Sequence, residues 1–330
     1  MKTVKIKFAG KWEGITPEQN TICHWLKKNG YDIQVTDDAD YIICDVLGEY
    51  HYEYCKYPQV RIFECGENVT PDFNLVDYAI SRYPIQFGDR NFYYPGCTMS
   101  GAYWHDLAQK DRNYPVDVLQ EKPYFANLVA GHDSEHNYRS IFFDKLSDYK
   151  RVEAAGNLRY NMPDGMRVNW LDDSKTNFQR KSKFTICFES TAHEGFITEK
   201  ITEAFFSDTI PIYYGSSTIT EIFNKDAFIN VADYESLDAV VEKVKELDQD
   251  DEKYLAMLRQ PILVDPAYPA RLDAELEKYI LHIFEQPLEK AYRRCRAFYP
   301  KWQDEYLARV VEPTWGHKLM QKMKRILKRG

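Results

Sequence analysis

Residues 183–215 have the sequence KFTICFESTAHEGFITEKITEAFFSDTIPIYYG, in which two short apolar runs flank a helical pattern. The runs, Phe184–Phe188 and Ile210–Tyr214, are short and rich in β-branched and aromatic residues, as buried strands are. The helix between them has Thr198 as a candidate N-cap and carries its apolar residues on one face. A strand, a helix and a strand in this order predict a parallel sheet with a right-handed crossover, and therefore an α/β fold.

Lys200 stands in the first turn of this predicted helix, where the helix dipole disfavours a cation by a few tenths of a kcal/mol. A bound anion would reverse that effect, because free backbone N–H groups and one Lys at a helix start suit a diphosphate. Alternatively, Lys200 extends into solvent and pairs weakly with Glu199 or Glu203. The stretch alone leaves both interpretations open.

Two segments of this stretch, CFES at 187–190 and FITEKITEAFFSDTIPIYYG at 196–215, resemble the donor-site motif of bacterial α-1,3-fucosyltransferases. The resemblance implies a GT-B fold, with two Rossmann-like domains facing each other across a cleft. It also implies GDP-β-L-fucose as the donor and inversion at the fucose anomeric carbon. The positions that match donor-binding residues are Ser190, Phe196, Glu199 and Lys200. The family has Asn and Tyr at the first two positions, so donor affinity or donor identity could differ here.

Arg139 is a second basic residue near a helix start, within the amphipathic pattern HDSEHNYRSIFFDKLSDY of residues 132–149. It matches the family's Arg that binds the donor phosphates, and a planar guanidinium can hold phosphate oxygens in pairs. The alternative is a surface pair with Glu135 or Asp144. Residues 152–159 occupy the place of the family's Gly-rich loop, but alanines replace glycines there, so the role of this loop stays open.

Glu67 follows a short predicted strand, Val60–Phe63, in the sequence CGEN at residues 65–68. A carboxylate at a strand end can accept the proton of a hydroxyl, or it can cap the turn at Gly66 or pair with Arg61. CGEN and the following PDFNLVDYAI resemble the family segment that carries the proposed general base. The resemblance therefore implies a catalytic role for Glu67.

The implied chemistry is a direct displacement, which needs a base, a stabilised oxocarbenium-like transition state and a neutralised diphosphate. The resemblance assigns these tasks in turn to Glu67, to Glu199, and to Arg139 with Lys200. The implied acceptor is the 3-OH of GlcNAc in an N-acetyllactosamine-type glycan, such as a lipopolysaccharide precursor of Lewis-antigen type. Three alternatives remain: an α-1,4-fucosyltransferase, a GT-B transferase for another nucleotide sugar, or an inactive glycan- or nucleotide-binding protein.

Length and composition limit the class of protein. A chain of 330 residues with 44% hydrophobic residues is long enough for two domains, and a net charge of −8 argues against a general nucleic-acid binder. No G-x-G-x-x-G follows the first predicted strand, Val4–Ala9, which weakens a dinucleotide-dependent dehydrogenase. We expect an acceptor-side domain over 1–120, a GDP-fucose-binding domain over 121–300 and a helical tail over 301–330, with residues 82–122 as loops and linker.

Two D-x-D triplets, at residues 38–40 and 248–250, have the spacing that many glycosyltransferases use for Mn²⁺ or Mg²⁺. The first precedes a predicted strand and the second ends a predicted helix, and neither is near the donor motif in sequence. We therefore expect no obligatory metal or other cofactor, with Arg139 and Lys200 acting in its place. Stimulation by Mn²⁺ or Mg²⁺ without a strict requirement is compatible with this expectation.

Residues 317–330, HKLMQKMKRILKRG, contain six Lys or Arg residues and no acid, and their apolar residues fall on one helical face. This pattern is typical of a helix that lies on an anionic membrane, although a solvated, frayed end is the alternative. Bacterial members of the family often end in such a tail. Because no apolar leader and no long apolar run occur, we expect a cytoplasmic protein that is peripheral at the inner face of the cytoplasmic membrane.

Overall fold

The computed structural model describes residues 2–10, 15–47, 52–100, 102–169 and 172–310. The described chain divides into two compact units. Unit 1 contains the residues up to Tyr93 and those from Ala274 onward, and unit 2 is Tyr94–Asp273. Each unit is an α/β structure on one parallel sheet, so the two expected Rossmann-like units are confirmed.

Unit 1 has a six-stranded parallel sheet in the order β2-β1-β3-β4-β5-β6. Its strands are β1 (Lys2–Phe8), β2 (Tyr31–Val35), β3 (Tyr41–Cys44), β4 (Val60–Glu64), β5 (Tyr78–Ser81) and β6 (Asn91–Tyr93). Strands β3, β4 and β5 are buried along their whole length, as expected for central strands covered on both faces.

Unit 2 has a five-stranded parallel sheet in the order β11-β10-β9-β7-β8. Its strands are β7 (Tyr124–Leu128), β8 (Val152–Ala154), β9 (Ser182–Phe188), β10 (Ile210–Tyr214) and β11 (Ile229–Asn230). The predicted strand–helix–strand unit of residues 183–215 is therefore confirmed, and β10 has the predicted bounds.

The helices alternate with the strands along most of the chain. They are α1 (Thr21–Lys28), α2 (Ala102–Asp106), α3 (Tyr138–Ser147), α4 (Ser174–Arg180), α5 (Glu199–Phe206), α6 (Ile219–Ile222), α7 (Leu237–Gln249), α8 (Asp251–Leu258), α9 (Tyr268–Glu285), α10 (Leu288–Ala291) and α11 (Phe298–Val310). Short 3₁₀ turns occur at Pro17–Gln19, Glu53–Lys56, Gly96–Ser100, Val116–Glu121, Glu135–Asn137, Pro163–Gly165, Lys225–Ala227 and Val231–Asp233. In the described part of the chain, no helix is both long and apolar enough to cross a membrane.

The segment between β6 and β7 belongs to unit 2, whereas the sequence predicted a domain boundary near residue 120. The hydroxyl of Thr202 on α5 donates to the Cys97 carbonyl at 3.1 Å. Gly96 lies so close to α5 that an added Cβ would be 2.8 Å from the Ile197 carbonyl oxygen. Lys110 pairs with Asp208 at 2.9 Å, just beyond the end of α5. The segment is thus docked on α5 and includes α2, rather than consisting of linker loops.

The C-terminal part of the chain returns to unit 1 through α9, whereas the prediction kept residues up to 300 in the donor-side domain. Helix α11 is anchored there by an ion pair between Asp304 and the buried Arg61 at 2.6 Å. Leu307 packs on the apolar core of the same unit. Residues 301–310 are therefore a packed part of unit 1, while the predicted amphipathic helix of residues 317–330 lies outside the described residues.

Candidate functional site

Arg139 spans the topological switch point of the unit 2 sheet. Strands β7 and β9 are neighbours there, but the chain leaves β7 for β8 on the other side, and α/β folds bind ligands at the carboxyl ends of such a strand pair. The Arg139 Nε and Nη2 atoms donate to the Phe188 carbonyl, at the end of β9, at 2.9 and 2.7 Å. Its Nη1 atom donates to the His132 carbonyl, after β7, at 2.7 Å. The guanidinium thus joins the two strand ends.

These bonds use three of the five N–H groups of Arg139, and the residue is only 5% exposed, so a ligand can reach the two remaining N–H groups only through this small exposed area. Neither alternative partner forms a pair with it. Glu135 accepts a hydrogen bond from the Thr191 hydroxyl at 2.9 Å, and Asp144 pairs with Arg159. The surface pairs proposed for Arg139 from the sequence are therefore wrong.

Glu189 is a fully buried carboxylate directly after β9, and it lies at the N-terminus of α5. Its Oε1 atom accepts the Thr198 backbone N–H at 2.7 Å, and its Oε2 atom accepts the Lys200 ammonium at 3.1 Å. Gly215 makes room for it, because an added Cβ would lie 2.7 Å from the Glu189 Cγ atom. Glu189 therefore supplies an internal anion that offsets the dipole effect on Lys200.

Lys200 and Glu199 lie in the first turn of α5 beside this anion. The Lys200 Nζ atom is 3.7 Å from the Glu199 Oε1 atom, and 23% of the Lys200 side chain is exposed. Burial lowers the pKa of Lys200, but the carboxylates of Glu189 and Glu199 raise it above its usual value. Lys200 is thus a charged side chain held between carboxylates, with enough exposure to reach a ligand; it does not simply extend into solvent.

Lys175, on α4, contributes a second ammonium to the same site. Its Nζ atom is 3.9 Å from the Glu199 Oε1 atom and makes a short ion pair with Glu203, one turn further along α5. Burial raises the pKa of Glu199, but Lys200 and Lys175 together lower it to about 2. Glu199 is therefore a carboxylate at neutral pH, with 32% of its side chain exposed.

The two positions that depart from the family pattern lie in different surroundings. Ser190 is exposed, and its carbonyl accepts the Glu135 backbone N–H at 2.8 Å, which leaves its hydroxyl open to solvent. Phe196 is only 3% exposed, so its ring packs inside unit 2 and presents no surface to a ligand in this conformation. Of the predicted donor residues, the structure brings Arg139, Glu199 and Lys200 together.

Glu67 lies in unit 1, in the turn after β4. Its backbone carbonyl accepts the Val69 N–H at 2.8 Å, so the backbone rather than the side chain closes this turn. The predicted alternative of a pair with Arg61 is wrong, because Arg61 binds Asp304. The Glu67 carboxylate is exposed and makes no ion pair with a described residue.

The loop after β8 packs tightly against the loop after β7. An added Cβ on Gly156 would lie 2.3 Å from the Ala130 carbonyl oxygen, and the Leu158 N–H donates to that same carbonyl at 2.9 Å. A glycine is therefore needed at this one position although alanines occupy the preceding two. The loop therefore supports the segment after β7, in which the His132 carbonyl accepts a hydrogen bond from the Arg139 Nη1 atom.

The D-x-D triplets have structural roles. Asp38 accepts Lys5 at 2.8 Å, and Asp248 pairs with Lys183 at 3.1 Å. The Asp250 carboxylate caps α8 by accepting the Lys253 N–H at 3.1 Å. In the described ranges, no group of three or more His, Cys, Asp or Glu side chains could hold a metal ion.

Comparison with known proteins gives the family. A family model described as glycosyltransferase family 10 (fucosyltransferase) C-term matches residues 119–259, and one described as alpha-(1,3)-fucosyltransferase FucT N-terminal domain matches residues 6–99. The chain is 30% identical over 290 residues to alpha-(1,3)-fucosyltransferase FucT of Helicobacter pylori, across 77% of this chain. The chain belongs to glycosyltransferase family 10. It spans 59% of the length of that Helicobacter pylori relative.

Solved structures confirm the GT-B fold class of this family 10 chain. A crystal structure of an alpha1,3-fucosyltransferase matches with a TM-score of 0.71 and 27% identity, over 90% of this chain and 93% of that one. A crystal structure of alpha1,3-fucosyltransferase with GDP matches with a TM-score of 0.65 and 25% identity, over 84% and 90% of the two chains. The similarity therefore extends through both units.

Sequence reasoning missed two charged residues of this family 10 site, Glu189 and Lys175, and it considered Glu203 only as a partner of Lys200. Glu189 was within the CFES motif but carried no assigned role. Lys175 lies on α4, and its contacts with α5 depend on how the two helices pack. A helical pattern in the sequence cannot report such a contact, but the two acids one turn apart on α5, Glu199 and Glu203, indicated that a further cation lies nearby.

Proposed function

We propose that this chain transfers L-fucose from GDP-β-L-fucose to the 3-OH of GlcNAc in an N-acetyllactosamine-type glycan, with inversion. The observation that carries the proposal is the convergence of Arg139, Lys200 and Glu199 at the switch point between β7 and β9. A similar chain was solved with GDP, which supports a guanosine diphosphate at this position. The family membership supports fucose as the transferred sugar.

In this proposal the cations at the strand ends bind the diphosphate. Arg139 has two N–H groups that bind no described residue, and Lys200 is a partly exposed ammonium at a helix N-terminus, where backbone N–H groups also favour an anion. Both neutralise charge as GDP leaves, which is where electrostatic stabilisation of a transfer has the largest effect. Glu199, ionised and one-third exposed, binds a ribose hydroxyl or stabilises the positive charge that develops on the fucosyl ring.

Glu67 of unit 1 acts as the general base in the proposed reaction. Its exposed carboxylate can remove the proton of the acceptor hydroxyl, which attacks the anomeric carbon as the bond to the diphosphate breaks. One base suffices, because direct displacement forms no covalent sugar–enzyme intermediate. The two basic residues act where other glycosyltransferases place a metal, so the proposal includes no obligatory metal, and Mn²⁺ or Mg²⁺ would at most stimulate the reaction.

The proposal is tested by measuring GDP release from purified protein with a panel of donors and acceptors. We expect turnover with GDP-fucose and N-acetyllactosamine, and at least about tenfold lower kcat/KM with GDP-mannose, because the site must bind the fucosyl ring in its transition state. A chain that prefers a type 1 acceptor is an α-1,4-fucosyltransferase, and one that prefers another nucleotide sugar contradicts the donor assignment. Tight GDP binding without turnover on any pair would indicate an inactive binding protein.

The proposal also includes attachment to an anionic membrane surface at the inner face of the cytoplasmic membrane. The basic residues of 317–330 are its first support, and the exposed face of α11, just before them, is the second. Phe298, Trp302 and Tyr306 are 75%, 55% and 64% exposed, and each lies four residues after the last, so they form one stripe. Trp and Tyr side chains favour the membrane–water interface. This aromatic stripe points away from the face that carries Asp304.

We expect the full-length chain to sediment with vesicles that contain phosphatidylglycerol and to bind neutral phosphatidylcholine vesicles only weakly. Replacing Trp302 and Tyr306 together by Ser should weaken binding to the anionic vesicles by about tenfold or more, because the aromatic area that these side chains bury in the membrane is lost. The matched control is Phe87→Ser, an exposed aromatic elsewhere in unit 1 that should bind as wild type. Equal sedimentation with both vesicle types, or in the double variant, contradicts the proposed attachment.

A further inference from the structure

Lys175 is almost inaccessible to a ligand. Its side chain is 11% exposed, on α4, and its ammonium lies between two carboxylates of α5. One is Glu203, with which it makes a short ion pair, and the other is Glu199, whose Oε1 atom is 3.9 Å away. Glu199 and Glu203 are four residues apart on the helix, where like charges repel each other. Lys175 is therefore the cation that opposes the repulsion between these two carboxylates on one face of α5.

Binding of the donor would affect the two lysines near Glu199 differently. Both ammoniums face the same Glu199 oxygen, Lys200 at 3.7 Å and Lys175 at 3.9 Å. A diphosphate bound at the N-terminus of α5 attracts Lys200 and so weakens its pull on Glu199. Lys175 is too buried to follow, so it stays beside Glu199 when the donor is bound.

We propose that Lys175 is a positioning residue for the donor site: it holds the Glu199 carboxylate ionised and in place while Lys200 is engaged by the donor diphosphate. The inference rests on the proposed function, because it assigns Glu199 to the nucleotide sugar. Lys175 itself touches neither the donor nor the acceptor. The competing explanation is that Lys175 serves only to neutralise the buried Glu203.

Four charged groups interact with the Glu199 carboxylate: Lys200 and Glu203 on α5, Lys175 on α4 and Arg139 on α3. Glu189 after β9, Cys187 on β9 and Tyr103 on α2 interact with these neighbours, and all of these groups would take part in any pH effect. Burial raises the pKa of Glu199. Among the groups that lower this pKa, Lys200 has the largest effect and Lys175 the second largest. Loss of Lys175 should therefore raise this pKa, so GDP affinity should begin to fall at a higher pH on acidification than in wild type.

The test is a double-mutant cycle with Lys175→Met, Glu203→Gln and the two combined. We expect Lys175→Met to weaken GDP affinity and to raise the KM for GDP-fucose, each by about tenfold, and the double variant to keep both defects. Lys175→Arg should restore most of the loss, since it keeps the charge. Lys181→Met, an exposed position just after α4, is the matched control and should behave as wild type. Recovery of wild-type GDP affinity and pH profile in the double variant would show that Lys175 serves only Glu203, and would overturn the inference.

Two readouts separate this inference from the proposed function. GDP affinity and its pH profile are measured by calorimetry and need no turnover, whereas KM needs the transfer reaction. If wild type binds GDP but transfers no fucose, the proposed function fails, and the loss of GDP affinity in the double variant still supports the role of Lys175. If wild type transfers fucose and the double variant matches it, the inference fails while the function stands. A wild-type chain that bound no GDP would overturn both.

Discussion

Glu67→Gln is expected to reduce fucosyl transfer by about 10²- to 10⁴-fold, the range typical for removal of a general base, while GDP affinity stays unchanged. The reason is that the amide keeps the size of the side chain but cannot accept the acceptor proton. The residue is exposed in the turn after β4, and its side chain makes no ion pair with any residue that the structure describes, so the fold should not change. The measurement is kcat for GDP release at saturating GDP-fucose and acceptor, with GDP affinity measured separately by calorimetry.

The matched control for Glu67 is Glu289→Gln, because Glu289 is also an exposed carboxylate of unit 1, on α10. It should retain wild-type kcat. A Glu67→Gln variant whose kcat stayed within about twofold of wild type would remove Glu67 from the mechanism, and the base would then have to be sought among other carboxylates of unit 1. A variant that lost GDP affinity instead would assign Glu67 to donor binding.

The central βαβ unit could be predicted from its sequence because each element has a local signal. Strand β10 is an apolar run bounded by polar residues, and Thr198 starts α5 as predicted, although its hydroxyl binds Glu189 rather than capping the helix. The convergence of Arg139 and Lys200 was also predictable. Parallel strands place their carboxyl ends at one edge of the sheet, so residues that follow β7 and β9 meet there.

The division into units was not predictable in the same way. The segment between β6 and β7 docks on α5 through a backbone carbonyl, a glycine and one ion pair, and such contacts leave no periodic pattern in the sequence. The return of the chain to unit 1 depends in part on the pair between Arg61 and Asp304, two residues 243 positions apart. Long-range polar pairs of this kind form only when the complete fold brings the two residues together, and a single sequence does not reveal them.

The start of α5 illustrates the same limit within the site. The sequence showed that Lys200 opposes the helix dipole, and it offered as the explanation either a ligand anion or an exposed Lys200 that pairs weakly with Glu199 or Glu203. The structure has the pair with Glu199 and adds a partner that was not predicted, the buried Glu189, which approaches because Gly215 has no side chain. An unfavourable charge in a sequence therefore indicates a missing anion, but it does not tell whether the protein or the ligand provides it.

Lys200→Met should show how Lys200 acts on each of two anions, the buried Glu189 and the donor diphosphate, because it removes the same cation from both. We expect GDP affinity to fall by about 100-fold, as a charged hydrogen bond to the diphosphate is lost, and the free energy of unfolding to fall by about 1–3 kcal/mol, as the buried Glu189 loses one partner. Glu189 keeps the Thr198 N–H and hydroxyl, which limits the loss of stability. Calorimetry with GDP and denaturant unfolding measure the two effects.

Adding Glu189→Gln to Lys200→Met shows whether the loss of GDP affinity and the loss of stability have separate causes. The double variant has no buried unpaired charge, so we expect it to recover most of the lost stability, whereas its GDP affinity should stay low because the ammonium is still missing. Lys225→Met is the matched control, since Lys225 is a 70% exposed lysine of unit 2 away from the site. Recovery of GDP affinity together with stability would mean that Lys200 acts only through Glu189, and the diphosphate would then be held by Arg139 and the backbone N–H groups of α5.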